Sequence, residues 1–532
     1  MNSHAIHGIV FAICAAAAPV ATAHDTDEGQ GRLGKVVFQN SCNPRVQEQL
    51  LRGVAMLHSF WYSEGEKTFR AVLAQDPSCS IATWGIASLL MSNPLAGQGA
   101  SPKGAEMAQA LITLGRQTPS RTQRERDYLE AVAAYYEDWA NRPERARQQA
   151  RAKAYEALAE RYRGDDEAQI FSALYIAATQ AAGDQSYSAY LKAVAILEPQ
   201  FAKHPDHPGV AHYLIHSYDA PPIADKGLTA ARRYAGIAPA APHALHMPSH
   251  IFTRVGAWEE SAAANARSAA VAVKGDEPDE AYHASDYMAY AYLQMARDEE
   301  ARRAIAAVQS VTGITPSRSA APYAIALMPA RYAVERGAWK EAMQLQPQSS
   351  VLYFPEASTY FARGLGAVHS GDLAEAQNNA DALAAIHKRL LEAKNAYWAG
   401  EVEVQRFALA AWLALAGGKQ DDALKLMRAA ADNEDRSEKN IVTPGRLVPA
   451  RELLGEMLLE VKQPALALVE FEASQQREPN RFRGFYGAAR AADGAGDRAK
   501  AAAYYRQMLA LASKGDGTRP ELVQAKAYLA RP

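Results

Sequence analysis

The sequence has few cysteines, no excess charge of one sign and, after its first 23 residues, no long apolar run. Three cysteines occur in 532 residues, and 57 Lys and Arg nearly balance 59 Asp and Glu, for a formal charge of −2. Without a basic stripe, the chain lacks the electrostatic signature of nucleic-acid binding. No later segment approaches the ~20 apolar residues of a membrane-spanning helix. We therefore expect neither a nucleic-acid partner nor a membrane span.

Common catalytic motifs are also missing. The chain contains no HExxH zinc motif, no GxSxG nucleophile elbow and no glycine-rich phosphate loop after a strand. Neither Cys42 nor Cys79 stands in the CxxC spacing of a redox motif. No catalytic residue is therefore assigned from the sequence, and a binding role is favoured over an enzymatic one.

The first 23 residues have the composition of a secretory signal. They contain no Asp, Glu, Lys or Arg, include an apolar stretch over 9–20, and end in Ala21-Thr22-Ala23. This pattern predicts cleavage before His24 and export, to the periplasm. In an oxidising compartment, Cys42 and Cys79 are expected to form a disulfide worth roughly 4 kcal/mol. Two buried thiols are the alternative.

Helix-forming residues dominate the rest of the chain, and a short pattern recurs in it. A glycine that ends one helix is followed five positions later by a small residue inside the next helix. Glycine permits the tight turn, and the small residue lets two antiparallel helices approach closely. The pattern occurs at Gly337 and Ala342, Gly371 and Ala376, Gly418 and Ala423, Gly496 and Ala501, and in a weaker form at Gly256 and Ser261.

These features resemble the tetratricopeptide repeat (TPR) family, whose period is 34 residues, the interval from Gly337 to Gly371. The His-rich units resemble a subgroup of exported bacterial TPR proteins. The resemblance covers most of residues 44–512. It implies an all-α, right-handed superhelical solenoid whose concave groove binds a protein or peptide partner. We divide the chain into a signal peptide (1–23), a lead-in (24–43), divergent repeats (44–206), His-rich units (207–312), C-terminal units (313–512) and a tail helix (513–532).

Eight of the fourteen histidines fall between His204 and His283. His212 and His246 are 34 residues apart, and so are His216 and His250. Within each helix the two histidines are four residues apart, which places both rings on one helix face. Repeats stacked at this period would bring the two pairs together.

The resemblance to TPR proteins also places these side chains at the helix positions that line the family's concave surface. A cluster of imidazoles with a carboxylate suits a divalent ion such as Zn²⁺, Cu²⁺ or Ni²⁺. The predicted metal ligands are His212, His216, His243, His246, His250, His283 and Asp286. The predicted groove-lining residues are Asp219, Arg254 and Tyr290.

Other interpretations remain open at this stage. The same histidines would also suit a metal-free polar groove for a peptide. A metal-dependent enzyme is the third hypothesis, for which Asp286 or Tyr290 is the only candidate acid or base. His204 and His207 lie in a proline-flanked turn and are expected to be solvated. Pro248 predicts either a kinked helix or a helix that starts at this residue.

Overall fold

The computed structural model describes residues 31–531. The predicted signal peptide (1–23), the predicted cleavage site before His24 and part of the lead-in lie outside this range. Within it the chain forms helices joined by turns and loops, with no strand. The all-α solenoid prediction is confirmed. No helix within these residues combines the length and the apolar composition needed to cross a bilayer.

Two short 3₁₀ helices, Pro44–Val46 and Ala224–Gly227, accompany the α-helices. The α-helices are α1 Gln47–His58, α2 Tyr62–Gln75, α3 Ile81–Leu90, α4 Pro102–Gln117, α5 Gln123–Tyr136, α6 Glu144–Arg161, α7 Asp166–Ala177, α8 Ser188–Lys203, α9 Pro208–Tyr218, α10 Leu228–Ile237, α11 Pro242–His246, α12 Pro248–Arg254, α13 Trp258–Lys274, α14 Pro278–Gln294, α15 Asp298–Gln309, α16 Ala320–Glu335, α17 Trp339–Met343, α18 Phe354–His369, α19 Leu373–Glu392, α20 Ala396–Ala416, α21 Gln420–Glu434, α22 Ala450–Glu460, α23 Pro464–Arg477, α24 Phe482–Gly494, α25 Arg498–Leu511 and α26 Pro520–Leu529.

The recurring glycines lie between paired helices, as the sequence pattern predicts. All five have positive φ angles, for example +83° at Gly371 between α18 and α19. An L-residue with a side chain rarely adopts this conformation. The small residues that follow, such as Ala376 and Ser261, are fully buried where the two helices meet. The local pattern therefore sets the turn and the close helix packing of each unit.

A second packing rule joins consecutive units. Phe69 on α2 fills the space left by Gly53 on α1 and Gly85 on α3. Phe471 on α23 does the same between Gly455 and Gly487. One aromatic ring between two glycines thus holds three successive helices together at both ends of the chain.

The lead-in segment is attached to the first repeats. The sulfurs of Cys42 and Cys79 are bonded to each other, so the lead-in is covalently joined to the turn before α3. Phe38 stacks on Trp84 with ring centroids 5.0 Å apart. The segment extends the core of the N-terminal helices.

The connection between α21 and α22, which we call the 435–449 loop, runs back to much earlier parts of the chain. The backbone N–H of Glu438 donates to the carbonyl of Ala182 at 2.9 Å. The hydroxyl of Tyr287 donates to the carbonyls of Ile441 and Thr443 at 3.1 and 3.0 Å. The loop therefore packs against helices more than 140 residues earlier in the chain, over the histidine-rich units.

The C-terminal units also contact the His-rich units directly. The indole N–H of Trp258 donates to the carbonyl of Asn480 at 2.7 Å. The side-chain oxygen of Gln294 accepts a hydrogen bond from the backbone N–H of Phe482 at 3.0 Å. Buried Arg519 pairs with Asp298. These contacts connect α13–α15 with α24–α26.

Candidate metal centre

Four helices carry the histidines. His212 and His216 lie on α9, His243 and His246 on α11, His250 on α12, and His283 on α14. Pro248 is the first residue of α12 and divides what would be one helix into α11 and α12. It provides no N–H for the carbonyl four residues earlier, so the helix is interrupted after His246. Both α11 and α12 nevertheless direct their histidines to the interior.

The six predicted histidine ligands are all buried, and they form two groups of three. The ligand atoms within each group lie within 4.8 Å of one another. The first group is His212, His216 and His243, and the second group is His246, His250 and His283. The groups touch, because the ring centroids of His216 and His250 are 5.6 Å apart and those of His243 and His246 are 5.9 Å apart.

In the second group, the outer hydrogen bonds fix the tautomers. Nδ1 of His250 lies 2.8 Å from Oδ2 of Asp219, a carboxylate that can only accept. Nδ1 of His246 lies 2.7 Å from Oδ1 of Asn265, whose amide N–H donates to the carbonyl of Ser261. Both histidines therefore carry their proton on Nδ1.

The consequence is an unusual contact between the two inner nitrogens. Nε2 of His246 lies 3.0 Å from Nε2 of His250. In the neutral tautomers set by Asp219 and Asn265, both atoms present a lone pair, so the contact is repulsive without a cation between them. A bound metal ion would convert it into two ligand bonds. Histidines whose outer nitrogen donates to a carboxylate or amide are typical of metal sites.

The first group has the same construction. Nδ1 of His212 donates to the carbonyl of His58 at 2.7 Å, and Nδ1 of His243 donates to Oε2 of Glu280 at 3.1 Å. Nε2 of His212, His216 and His243 is buried and has no hydrogen-bond partner within the described residues. A buried ring nitrogen without a partner is costly. A metal ion would satisfy it.

Burial also keeps the rings of His212, His216, His246 and His283 neutral. Desolvation, with repulsion from neighbouring imidazoles, lowers the pKa of His212, His216 and His246 well below the usual value. Burial brings the pKa of His283 to about 3. Neutral imidazole is the form that binds metal. A proton is therefore a poor substitute for a metal ion here.

Two carboxylates, Asp219 and Glu280, contact Nδ1 of His250 and of His243. Burial acts to raise the pKa of Asp219, but Lys439, Arg254 and the hydrogen bond from His250 lower it well below its usual range. Burial also acts to raise the pKa of Glu280, and the adjacent His243 brings it below its usual value. Both carboxylates are therefore ionised, and they accept the Nδ1 protons of His250 and His243.

A small cavity lies beside the two groups of histidines. It has a volume of about 70 Å³, and His216, His243, His250 and His283 form part of its wall. Tyr62, Arg318 and other residues are shared with a groove of about 1210 Å³, which we call the central groove. Ile441 of the 435–449 loop also borders both spaces. The cavity beside the histidines thus adjoins the central groove at these residues.

Not every predicted site residue lies with the histidines. Asp286 belongs to neither group of three; its Oδ1 lies 3.8 Å from Nε of Arg331, and burial raises its pKa to about 6. Tyr290 is buried, with its hydroxyl against Arg481 and its ring 4.4 Å from the guanidinium of Arg331. Arg254 is buried against Asp219, which lines the central groove.

His204 and His207 differ from the sequence expectation of solvated loop residues. His207 is buried, and its Nε2 lies 3.1 Å from Oε1 of Glu167. His204 is half-buried and contacts Asp166 at 2.8 Å. Burial follows because this turn packs against the start of α7. The expectation of solvation was wrong.

His58, His207 and Glu167 also bring three potential ligand atoms together. Here, however, every ring nitrogen has a partner. Glu167 accepts from Nε2 of His58 at 2.9 Å, and the hydroxyl of Tyr213 contacts the other nitrogen of that ring at 2.9 Å. Nδ1 of His207 accepts from the backbone N–H of Val210. This cluster is satisfied without a metal, unlike the two groups of three.

Sequence reasoning missed the residues that orient the ligands. Glu280 lies on α14 and Asn265 on α13, and the 435–449 loop belongs to the C-terminal units, far from the histidines in sequence. Glu280 does carry one signal, because it lies three residues before His283 on the same helix face. Asn265 and the loop have no such signal.

No protein-family model and no curated protein sequence matches the chain. Similar solved structures include the APC/C hetero-tetramer Cut9–Hcn1, with a TM-score of 0.31 and 11% identity over 92% of this chain and 96% of that one. Naa15/Naa10 bound to HypK-THB gives a TM-score of 0.24 and 12% identity over 91% and 96%. At these values the similarity supports no functional conclusion.

Proposed function

We propose that this chain is a TPR-like scaffold that binds a divalent transition-metal ion at its buried histidines. The contact between Nε2 of His246 and Nε2 of His250 carries the proposal. Asp219 and Asn265 hold the protons on the outer nitrogens, and burial disfavours an extra proton between the rings. Three neutral imidazoles are a suitable donor set for Zn²⁺, Cu²⁺ or Ni²⁺.

Elemental analysis of the untagged protein, purified without chelator or added metal, tests this proposal. We expect at least one equivalent of transition metal per chain in the wild type. His246→Ala and His250→Ala should each reduce the metal content, whereas His387→Ala on α19 should leave it unchanged. A wild-type protein that holds no metal and takes up none from added Zn²⁺, Cu²⁺ or Ni²⁺ would refute the proposal.

The central groove favours a second candidate function, the binding of a protein or peptide partner. Its volume of about 1210 Å³ is larger than a small ligand requires. Trp398 and Tyr187 on its walls are aromatic residues of the kind enriched in protein interfaces. A partner recovered with the wild type, retained after chelation and lost in Trp398→Ala, would support this function. Partner binding that is unaffected by Trp398→Ala would count against the groove.

We also propose that the protein acts outside the cytoplasm. The apolar, uncharged segment over 1–23 supports export. The bond between Cys42 and Cys79 is in keeping with an oxidising compartment. Cell fractionation with determination of the mature N-terminus tests this. We expect a periplasmic protein that begins at His24; a cytoplasmic protein with an intact N-terminus would contradict the proposal.

A further inference from the structure

The two groups of histidines are complete in themselves. In each group the three ligand atoms lie within 4.8 Å of one another, so each group supplies three ligands without a residue of the other. Each group also has its own carboxylate behind it: Glu280 contacts His243, and Asp219 contacts His250. One tetrahedral ion takes only four ligands, so a single ion would leave ring nitrogens of the other group buried and unsatisfied.

We propose that the chain binds two metal ions, one at His212, His216 and His243 and one at His246, His250 and His283. This inference rests on the proposed function, because it assigns a second ion to the same histidine-rich units. Three unpartnered Nε2 atoms carry the first site, and the facing nitrogens of His246 and His250 carry the second.

Both groups of histidines border the same small cavity. Two histidines of each group border it, His216 and His243 from one, His250 and His283 from the other. At about 70 Å³ it is large enough to hold ordered water. Three protein ligands per ion leave a coordination position for that water, the arrangement of exchangeable rather than closed structural sites. The two ions would therefore share the water of this cavity as exchangeable ligands.

Metal titration of the wild-type protein tests the number of sites. The protein is freed of metal with a chelator and titrated with Co²⁺, whose visible absorption reports its coordination. We expect absorbance to rise until two equivalents are bound. Saturation at one equivalent would overturn the two-site inference and leave the proposed function intact. No binding of Co²⁺, Zn²⁺, Cu²⁺ or Ni²⁺ would overturn both.

A matched pair of variants assigns the sites. His243→Ala and His283→Ala remove the most exposed histidine of each group, at 6% and 7%, so that packing changes least. Each variant should bind one equivalent of Co²⁺, and the two remaining spectra should differ and sum to that of the wild type. The double variant should bind none. If either single variant loses both equivalents while its circular dichroism and melting temperature match the wild type, the two ions do not occupy separate sites and the inference fails.

Discussion

Oδ2 of Asp219 lies 2.8 Å from Nδ1 of His250, and this contact joins a candidate metal ligand to a buried network of charges. Oδ1 of the same carboxylate accepts from Nε of Arg254 at 2.7 Å, and Nζ of Lys439 lies 3.9 Å from Oδ2. By holding the proton of His250 on Nδ1, Asp219 turns Nε2 toward His246. Asp219 would therefore act on an ion bound at Nε2 through His250.

Asp219→Asn is expected to weaken metal binding at the second group about 10–100-fold, the usual effect of losing such an outer partner. The neutral amide is a poorer acceptor for the proton of His250. The dissociation constant for Zn²⁺, measured by competition with a chromophoric chelator, checks this. Glu280→Gln is the matched control, because Glu280 contacts His243 and should weaken the first group instead. Equal losses at both groups in both variants would contradict this pairing.

Glu434 predicts an unusual dependence of stability on pH. It is buried at the end of α21, where Oε1 accepts from the backbone N–H of Ala450 at 2.8 Å. Burial, opposed by Arg446, raises its pKa to about 8, above the unfolded value of 4.5. The folded state therefore binds more protons than the unfolded state between pH 4.5 and 8. Its contribution to stability is complete below pH 4.5 and is lost as pH rises toward 8.

The difference between the wild type and Glu434→Gln isolates this contribution. Relative to the wild type, the variant should gain stability between pH 5.5 and 7.5, by at most about 1.4 kcal/mol per pH unit. Urea unfolding at several pH values gives both free energies. Parallel profiles would show that Glu434 does not hold its proton at neutral pH.

Gly487→Ala is expected to destabilise the C-terminal units by about 1–3 kcal/mol. A Cβ at this position would overlap the ring of Phe471, which is enclosed between α22 and α24. Gly400→Ala is the control, because Gly400 is an exposed position of α20 where a Cβ meets nothing within 4 Å. It should stabilise the protein by about 0.5–1 kcal/mol through helix propensity. Thermal and urea unfolding of the two variants would show opposite signs; a loss of equal size in both would contradict the packing argument.

The Cys42→Ser, Cys79→Ser double variant is expected to lose about 4 kcal/mol of stability, because the crosslink closes a loop with a sequence separation of 37. The loss arises mainly in the unfolded state, so the helical content should be unchanged. Circular dichroism and urea unfolding check both statements. Wild-type protein treated with reductant should behave like the variant, and a reduced protein as stable as the oxidised one would contradict the expectation.

The sequence predicted the parts of the fold that depend on neighbouring residues. Glycine turns and small buried residues repeat within single helix pairs, so Gly371 and Ala376 suffice to place one unit. The 34-residue interval between His216 and His250 similarly indicated adjacent helices, and the structure places their ring centroids 5.6 Å apart. Local spacing therefore predicted that the two histidine pairs meet.

The separation into two groups could not be predicted, because it depends on contacts between distant parts of the chain. Asp286 follows His283 by three residues, yet its carboxylate faces buried Arg331 on α16 instead of the ligands, with Oδ1 3.8 Å from Nε. The position of the 435–449 loop over the histidines is set by its hydrogen bonds with Tyr287 and Ala182. Nothing in its own sequence indicates these partners.

The contacts from Trp258 to Asn480 and from Gln294 to Phe482 affect how the molecule unfolds. In an open repeat array each unit touches only its neighbours, so unfolding can begin at either end and proceed stepwise. Here units more than 180 residues apart share hydrogen bonds, and the C-terminal repeats cannot unravel without breaking their contacts to helices in the middle of the chain. The described chain should therefore unfold in a single cooperative transition rather than unit by unit.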